Sequence, residues 1–257
     1  MKMTRVIGVV SGKGGVGKTT VVSNLGVVLA REGYDVVVLD GDVTGANLGL
    51  HFGLTFYPHS LHDVVKHGVP FYNAVYNYME NLDIVPASLS AEHDELEPEG
   101  LKEALFNSYF MDKDFALIDV STGLSAEAKA AIEVSNELIL VTNAELPTLS
   151  DALRTRELAR RFDKRFVGAI LNRVKEEDIK KSKNVSNFLD LPVIGVLCDD
   201  HRIKESINSK TPLSLMHPDS WNSVEFRNIA LKILGREPRL KPKLVEKARY
   251  FVNVRIK

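Results

Sequence analysis

Cysteine is nearly absent from this sequence: Cys198 is the only one in 257 residues. An internal disulfide framework and a Cys-x-x-Cys metal or redox site are excluded, as is an iron–sulfur cluster held by several thiolates of one chain. Long apolar runs are missing too, and none approaches the roughly 20 residues of a membrane-spanning helix. The first apolar run is too short for a signal-peptide core, so the cytoplasm is the expected compartment. Charge of one sign is also lacking: 33 Lys and Arg against 34 Asp and Glu leave a formal net charge of −1. No global field draws the chain to nucleic acid, which is not an expected partner. What is present, 44% hydrophobic and 26% charged residues, describes an ordinary globular protein with a large core. The balance is uneven along the chain. From Arg236 to Lys257, eight Lys or Arg against two Glu give +6 and leave −7 for the remainder.

Glycine is concentrated where it carries chemistry. Residues 12 to 19, Gly12-Lys13-Gly14-Gly15-Val16-Gly17-Lys18-Thr19, fit the phosphate-binding pattern G-x-x-x-x-G-K-[ST] and are followed by Thr20. The pattern lies between an apolar run, Val6 to Val10, and a segment with helical periodicity (Val21, Leu25, Val28, Leu29) that stops near Gly33. Such a loop turns main-chain N–H groups toward phosphate oxygens, and the following helix adds its positive N-terminal end. Lys18 is placed to reach the β- and γ-phosphates, and the Thr19 hydroxyl to ligate Mg²⁺. ATP and Mg²⁺ are the cofactors this implies.

The lysine at the second position of the loop is not required by phosphate binding alone. Gly-Lys-Gly-Gly-Val-Gly-Lys-Thr resembles the deviant Walker A loop of the MinD/ParA/Mrp family of ATPases, closest to MinD-like members. The resemblance implies that Lys13 reaches the nucleotide of a second subunit, making a homodimer of the ATP-bound form. The lone cysteine sets the chain apart from cluster-carrying relatives.

Further motifs follow at strand ends. Asp35 to Asp40 reads as a buried parallel strand ending in Asp40-Gly41-Asp42, with Asn47-Leu48 beyond. Acidic groups there lie where open α/β sheets bind ligands. The segment resembles the family's switch I, which implies that Asp40 supports the Mg²⁺ shell and Asp42 positions or activates the attacking water. Asp114 to Asp119 is a second strand ending in an acid, the Walker B layout, with Asp119 toward Mg²⁺ and Gly123 offering an N–H to the γ-phosphate. Here the chain departs from the family's D-x-P-x-G: Ser121 stands in place of proline, which is expected to loosen switch II. Asn172-Arg173, after the strand Phe166 to Leu171, resembles the family's adenine-contacting pair. Cys198-Asp199, after the strand Pro192 to Leu197, takes the place of the Pro-x-Asp whose backbone wraps the base, and Cys198 reads as a small buried hydrophobe or a reactive thiol.

Other stretches leave alternatives open. His51, His59, His62, His67 and His93 cluster in sequence and admit metal ligation or plain surface and capping roles. The aromatic stretch Phe71 to Tyr78 reads as packing. A helix from about Thr148 is expected to turn Asp151, Arg154, Arg156, Arg160 and Arg161 to solvent. The tail from Lys243 to Lys257 reads either as a basic amphipathic helix for an anionic membrane surface or, from the alternation of Tyr250, Val252, Val254 and Ile256, as a strand.

The expected architecture is α/β: a doubly wound, mostly parallel sheet of seven to eight strands with helices on both faces, residues 1–238, followed by a basic tail, 239–257. The expected activity is slow ATP hydrolysis stimulated by a protein activator or cargo. It would serve a switch for placing cell division or surface structures, cytoplasmic and peripherally attached to the membrane when ATP-bound. Two alternatives stand beside it: a metallochaperone ATPase for metalloenzyme maturation, drawing on the histidines and Cys198, and a ParA-like DNA partition ATPase, drawing on the helix carrying Arg154 to Arg161.

Overall fold

The computed structural model describes residues 3–89, 97–106, 112–123, 125–175 and 182–238. Eight strands, β1 (Arg5–Val10), β2 (Val36–Gly41), β3 (Tyr76–Met79), β4 (Leu82–Val85), β5 (Phe115–Val120), β6 (Glu137–Thr142), β7 (Arg165–Val174) and β8 (Val193–Cys198), form one sheet. Its order is β3-β4-β2-β5-β1-β6-β7-β8. Every neighbouring pair is parallel except β3 with β4.

The helices are α1 (Lys18–Arg31), α2 (Leu48–His51), α3 (Leu61–His67), α4 (Pro98–Leu105), α5 (Ala126–Val134), α6 (Leu146–Arg161), α7 (Ser182–Leu189), α8 (His201–Asn208), α9 (Leu213–Met216) and α10 (Trp221–Ile233). Their ends carry local signals. Ser125 caps α5 by accepting from the Ala128 N–H, Asp200 caps α8, and Ser220 caps α10. Pro98 opens α4 at a position where no intrahelical donor is needed.

Two apolar layers sandwich the sheet because successive strand residues face opposite ways. On one side Val37, Leu39, Ala116 and Ile118 pack with Leu101, Ala131 and Ile132 of α4 and α5 and with Leu149 and Ala152 of α6. On the other, Ile7, Val9, Val36, Val38 and Leu117 pack with Val21, Val22 and Leu25 of α1 and with Phe226 and Ile229 of α10. The chain leaves β1 for β2 on one side and later adds β6 to its other edge. The carboxyl end of β1 is therefore the topological switch point, where such sheets open a crevice.

The eight strands match the expected architecture, with one correction in detail. The aromatic stretch after Phe71 packs as expected, Phe71 being buried and Tyr76 and Tyr78 lying against Tyr57 and Phe52, and it is regular structure besides. It forms a short 3-10 turn, Phe71–Ala74, and then β3, the antiparallel edge strand beside β4. The face expected to be solvated on α6, however, is not uniform: Arg156 is buried, its guanidinium donating to Asp190 Oδ2 at 3.0 Å. Arg154, Arg160 and Arg161 are exposed as expected.

Candidate functional site

At the switch point, residues 11–17 link β1 to α1. Gly17 caps α1 in the left-handed region, φ 97°, a conformation only glycine adopts freely. Gly12 answers a different demand. A Cβ there would lie 2.1 Å from the Asp151 carbonyl carbon, so the loop backbone runs directly against the backbone of α6. The Ser11 hydroxyl donates to the Lys13 carbonyl at 2.9 Å and ties the start of the loop. The two lysines then part company. Lys18 is buried at the head of α1, while Lys13, Gly14 and Gly15 face solvent.

Beside the loop, β2 and β5 pair in register and set Asp40 opposite Asp119, both 1% exposed. Asp40 accepts from the N–H groups of Asp42 (3.2 Å), Asn47 (3.1 Å) and Leu48 (3.0 Å), so switch I is folded around its carboxylate. Burial, then the nearby Asp119 charge, push its pKa well above the ordinary carboxylate value, against the pull of those N–H donors. Asp119 accepts from the Thr19 hydroxyl through Oδ2 at 2.6 Å. Its pKa is pushed up to about 6, chiefly by burial, with the Lys18 ammonium and the Thr19 hydrogen bond holding it back. Its other oxygen, Oδ1, is buried with no hydrogen-bond partner among the described residues.

Two buried carboxylates, a hydroxyl and one unspent carboxylate oxygen are the hard oxygen donors Mg²⁺ takes, and they fit that ion. Asp42 is half-buried, and its Oδ1 accepts from the Gly45 N–H at 3.1 Å.

Switch II follows β5. The Ser121 hydroxyl lies 3.0 Å from Ser125 Oγ, which also caps α5. A side-chain contact thus spans the segment at Ser121, where the resemblance noted in the sequence implies a proline. The Gly123 N–H faces the Ser11 carbonyl at 3.5 Å, linking switch II to the phosphate loop.

The proposed base-contacting residues converge at the carboxyl ends of β7 and β8, where Val174 pairs with Cys198. Asn172 is buried and donates from Nδ2 to the Val16 carbonyl at 2.7 Å. Arg173 is exposed, in a left-handed backbone conformation at φ 54°, and Asp199 is exposed beside it. Cys198 is 1% exposed, which fits the small buried hydrophobe. Its N–H donates to Asn222 Oδ1 at 2.8 Å and its carbonyl accepts from Asn222 Nδ2 at 3.0 Å. Asn222 is thus a residue of the site's frame with no signal in the sequence, since a lone Asn at a helix start reads as a cap.

The histidines are not brought together. His62 is fully buried, its Nδ1 accepting from the Ser88 N–H at 3.0 Å, while His67 is exposed at the end of α3. Among the described residues no group of three His, Cys, Asp or Glu is gathered as a metal site. His93 and the tail from 239 lie outside the described residues. Among those described, no helix is long and apolar enough to cross a membrane.

Comparison with known proteins agrees with this geometry. Residues 7–213 match the family profile of the CobQ/CobB/MinD/ParA nucleotide binding domain. The chain is 37% identical over 245 residues to an uncharacterized ATP-binding protein of Methanocaldococcus jannaschii, covering 94% of this chain and 92% of that protein. It is 34% identical over 244 residues to the septum site-determining protein MinD of Synechocystis, covering 91% of each. In three dimensions it is similar to septum site-determining protein MinD of Pyrococcus horikoshii complexed with Mg-ADP. That match has a TM-score of 0.85 and 35% identity, covering 90% of this chain and 96% of that one.

Proposed function

The chain belongs to the CobQ/CobB/MinD/ParA nucleotide-binding family, and from that premise we propose that it is a Mg²⁺-dependent ATPase of the MinD type, acting as a dimerising switch. One observation carries the reading: a glycine-rich loop and helix start lie beside Thr19 and Asp119 in hydrogen-bond contact, with one Asp119 oxygen unspent. Main-chain N–H groups from Gly14 to Thr20 and the N-terminal end of α1 hold the phosphates. Lys18 neutralises the β- and γ-oxygens. Thr19 and Asp119, backed by Asp40, would hold Mg²⁺, which would supply positive charge to offset that of the phosphates. Asp42 orients a water in line with the γ-phosphate. Asn172, Arg173, Asp199 and the backbone at Cys198 frame the base.

Lys13 faces solvent, and in this reading it completes the site of a second copy as an arginine finger would: a cation supplied only in the dimer stabilises spreading phosphoryl charge. Nucleotide state is thereby converted into assembly state. The septum-site names of its relatives support a role in spatial regulation of cell division or surface structures. The basic tail, 239–257, serves as the ATP-gated contact with an anionic membrane, and a protein partner stimulates turnover.

Binding and turnover test the reading separately. Lys18→Ala is expected to lose Mg-ATP binding by titration calorimetry. Asp42→Ala is expected to bind Mg-ATP like the parent and to release phosphate at least ~100-fold more slowly, the scale of a lost water-positioning group. An Asp42→Ala protein that hydrolyses ATP at the parental rate refutes the assignment.

A further inference from the structure

Asn172 is assigned above to the base end of the site, yet its strongest contact is elsewhere. Its side chain is 3% exposed and spends Nδ2 on the Val16 carbonyl at 2.7 Å, 156 residues away in sequence. A trans peptide is planar, with its C=O and N–H pointing in opposite directions. Holding the Val16 carbonyl toward β7 therefore turns the Gly17 N–H away from Asn172. The approach is close enough to forbid a side chain at Gly17, where a Cβ would sit 2.3 Å from Asn172 Nδ2. The Oδ1 atom of the same amide accepts from the Arg173 N–H at 2.9 Å. Arg173 has φ 54°, a backbone state that persists in a non-glycine residue only when neighbours hold it.

One buried amide thus joins two parts of the site. Its donor fixes a peptide of the phosphate loop, and its acceptor fixes the turn that presents Arg173 at the base end. We propose that Asn172 is a positioning residue for phosphate binding, setting the Gly17 N–H of the loop, and that base recognition is coupled through it to the phosphate end. The inference rests on the nucleotide-binding reading above and deepens it. Without the amide, the Val16 carbonyl loses its donor and the loop peptide is free to rotate, so phosphate affinity falls even for a ligand with no base.

The test compares Mg-ATP with inorganic tripolyphosphate in Mg²⁺, both titrated into the full chain and into Asn172→Ala and Arg173→Ala. Asn172→Ala is expected to weaken tripolyphosphate by about 10-fold and to shrink the rise in melting temperature that tripolyphosphate gives. Arg173→Ala is expected to weaken ATP while leaving tripolyphosphate unchanged. Should Asn172→Ala fail to fold, Asn172→Ser, which is polar but too short to reach Val16, carries the same expectation. An Asn172 variant that loses ATP affinity but binds tripolyphosphate like the parent overturns the inference, because the residue then serves the base alone. A parent chain that binds neither ligand overturns the nucleotide reading itself, and the inference with it.

Discussion

Asp119 is under two opposed demands. Folding buries it, which penalises its charge, while the proposed Mg²⁺ site needs that charge. A carboxyl pushed up to about 6 from an ordinary value of 3.8 holds its proton more tightly folded than unfolded. From about pH 4 to about pH 6 the folded state binds the extra proton, so nucleotide-free stability falls as pH rises through that window. Asp119→Asn is therefore expected to raise the melting temperature of metal-free protein at pH 8, to flatten its pH dependence between 4 and 6, and to abolish the Mg²⁺-dependent increment in ATP affinity. A metal-free melting temperature lowered by this substitution would contradict the account.

Lys13, Lys18 and Thr19 were legible in the sequence because their motif is contiguous, and Asp40 and Asp119 because each ends an apolar strand. The tie from Asn172 to Val16 and the clamp of Asn222 on Cys198 were not legible. Each depends on strand register that brings distant residues to one sheet end.

Between elements, the contact that matters most is the phosphate loop against α6. With Gly12 lying on the Asp151 backbone, neither side has a flexible side chain that could yield. Gly12→Ala must push the loop or the helix aside, and over-packing of this kind costs ~1–3 kcal/mol. Its unfolding midpoint in urea is expected to drop accordingly, with ATP affinity falling as well, because the displaced backbone is the ligand-binding backbone. An unchanged midpoint and affinity would mean that the approach is looser than the geometry states.

Elements differed in how plainly the sequence announced them. The runs at β2 and β5 are apolar on both faces and bounded by turns, and they emerged within a residue or two of their expected limits. β3 did not, since it has four residues, holds Asn77, lies at the sheet edge and is mostly half-buried, leaving little period to detect. On α6, periodicity put Arg156 with its charged neighbours. The sequence does not reveal that Asp190, in the turn after α7, stands where it can pair with a buried guanidinium.

At the scale of the whole molecule, Lys13, Gly14 and Gly15 of the loop are exposed, and so is the start of α6, including Leu146, on the helix that the loop meets at Gly12. In the proposed dimer, a second copy docking on the loop would bring its own Lys13 toward this chain's nucleotide, and each site alone would be incomplete. The basic tail adds a second expectation. With ATP, the Asp42→Ala protein is expected to co-sediment with anionic liposomes, and a version ending at Arg239 to remain in solution; equal pelleting of the two would remove the tail from the account.

The most direct test of the central claim is molar mass in solution, by size exclusion with light scattering, on Asp42→Ala protein in Mg-ATP and in Mg-ADP. Twice the chain mass with ATP, the chain mass with ADP, and the chain mass for Lys13→Ala on the same background even when loaded with ATP is the predicted result. An ATP-loaded protein that stays at the chain mass, or a Lys13→Ala protein that doubles like its parent, would contradict it.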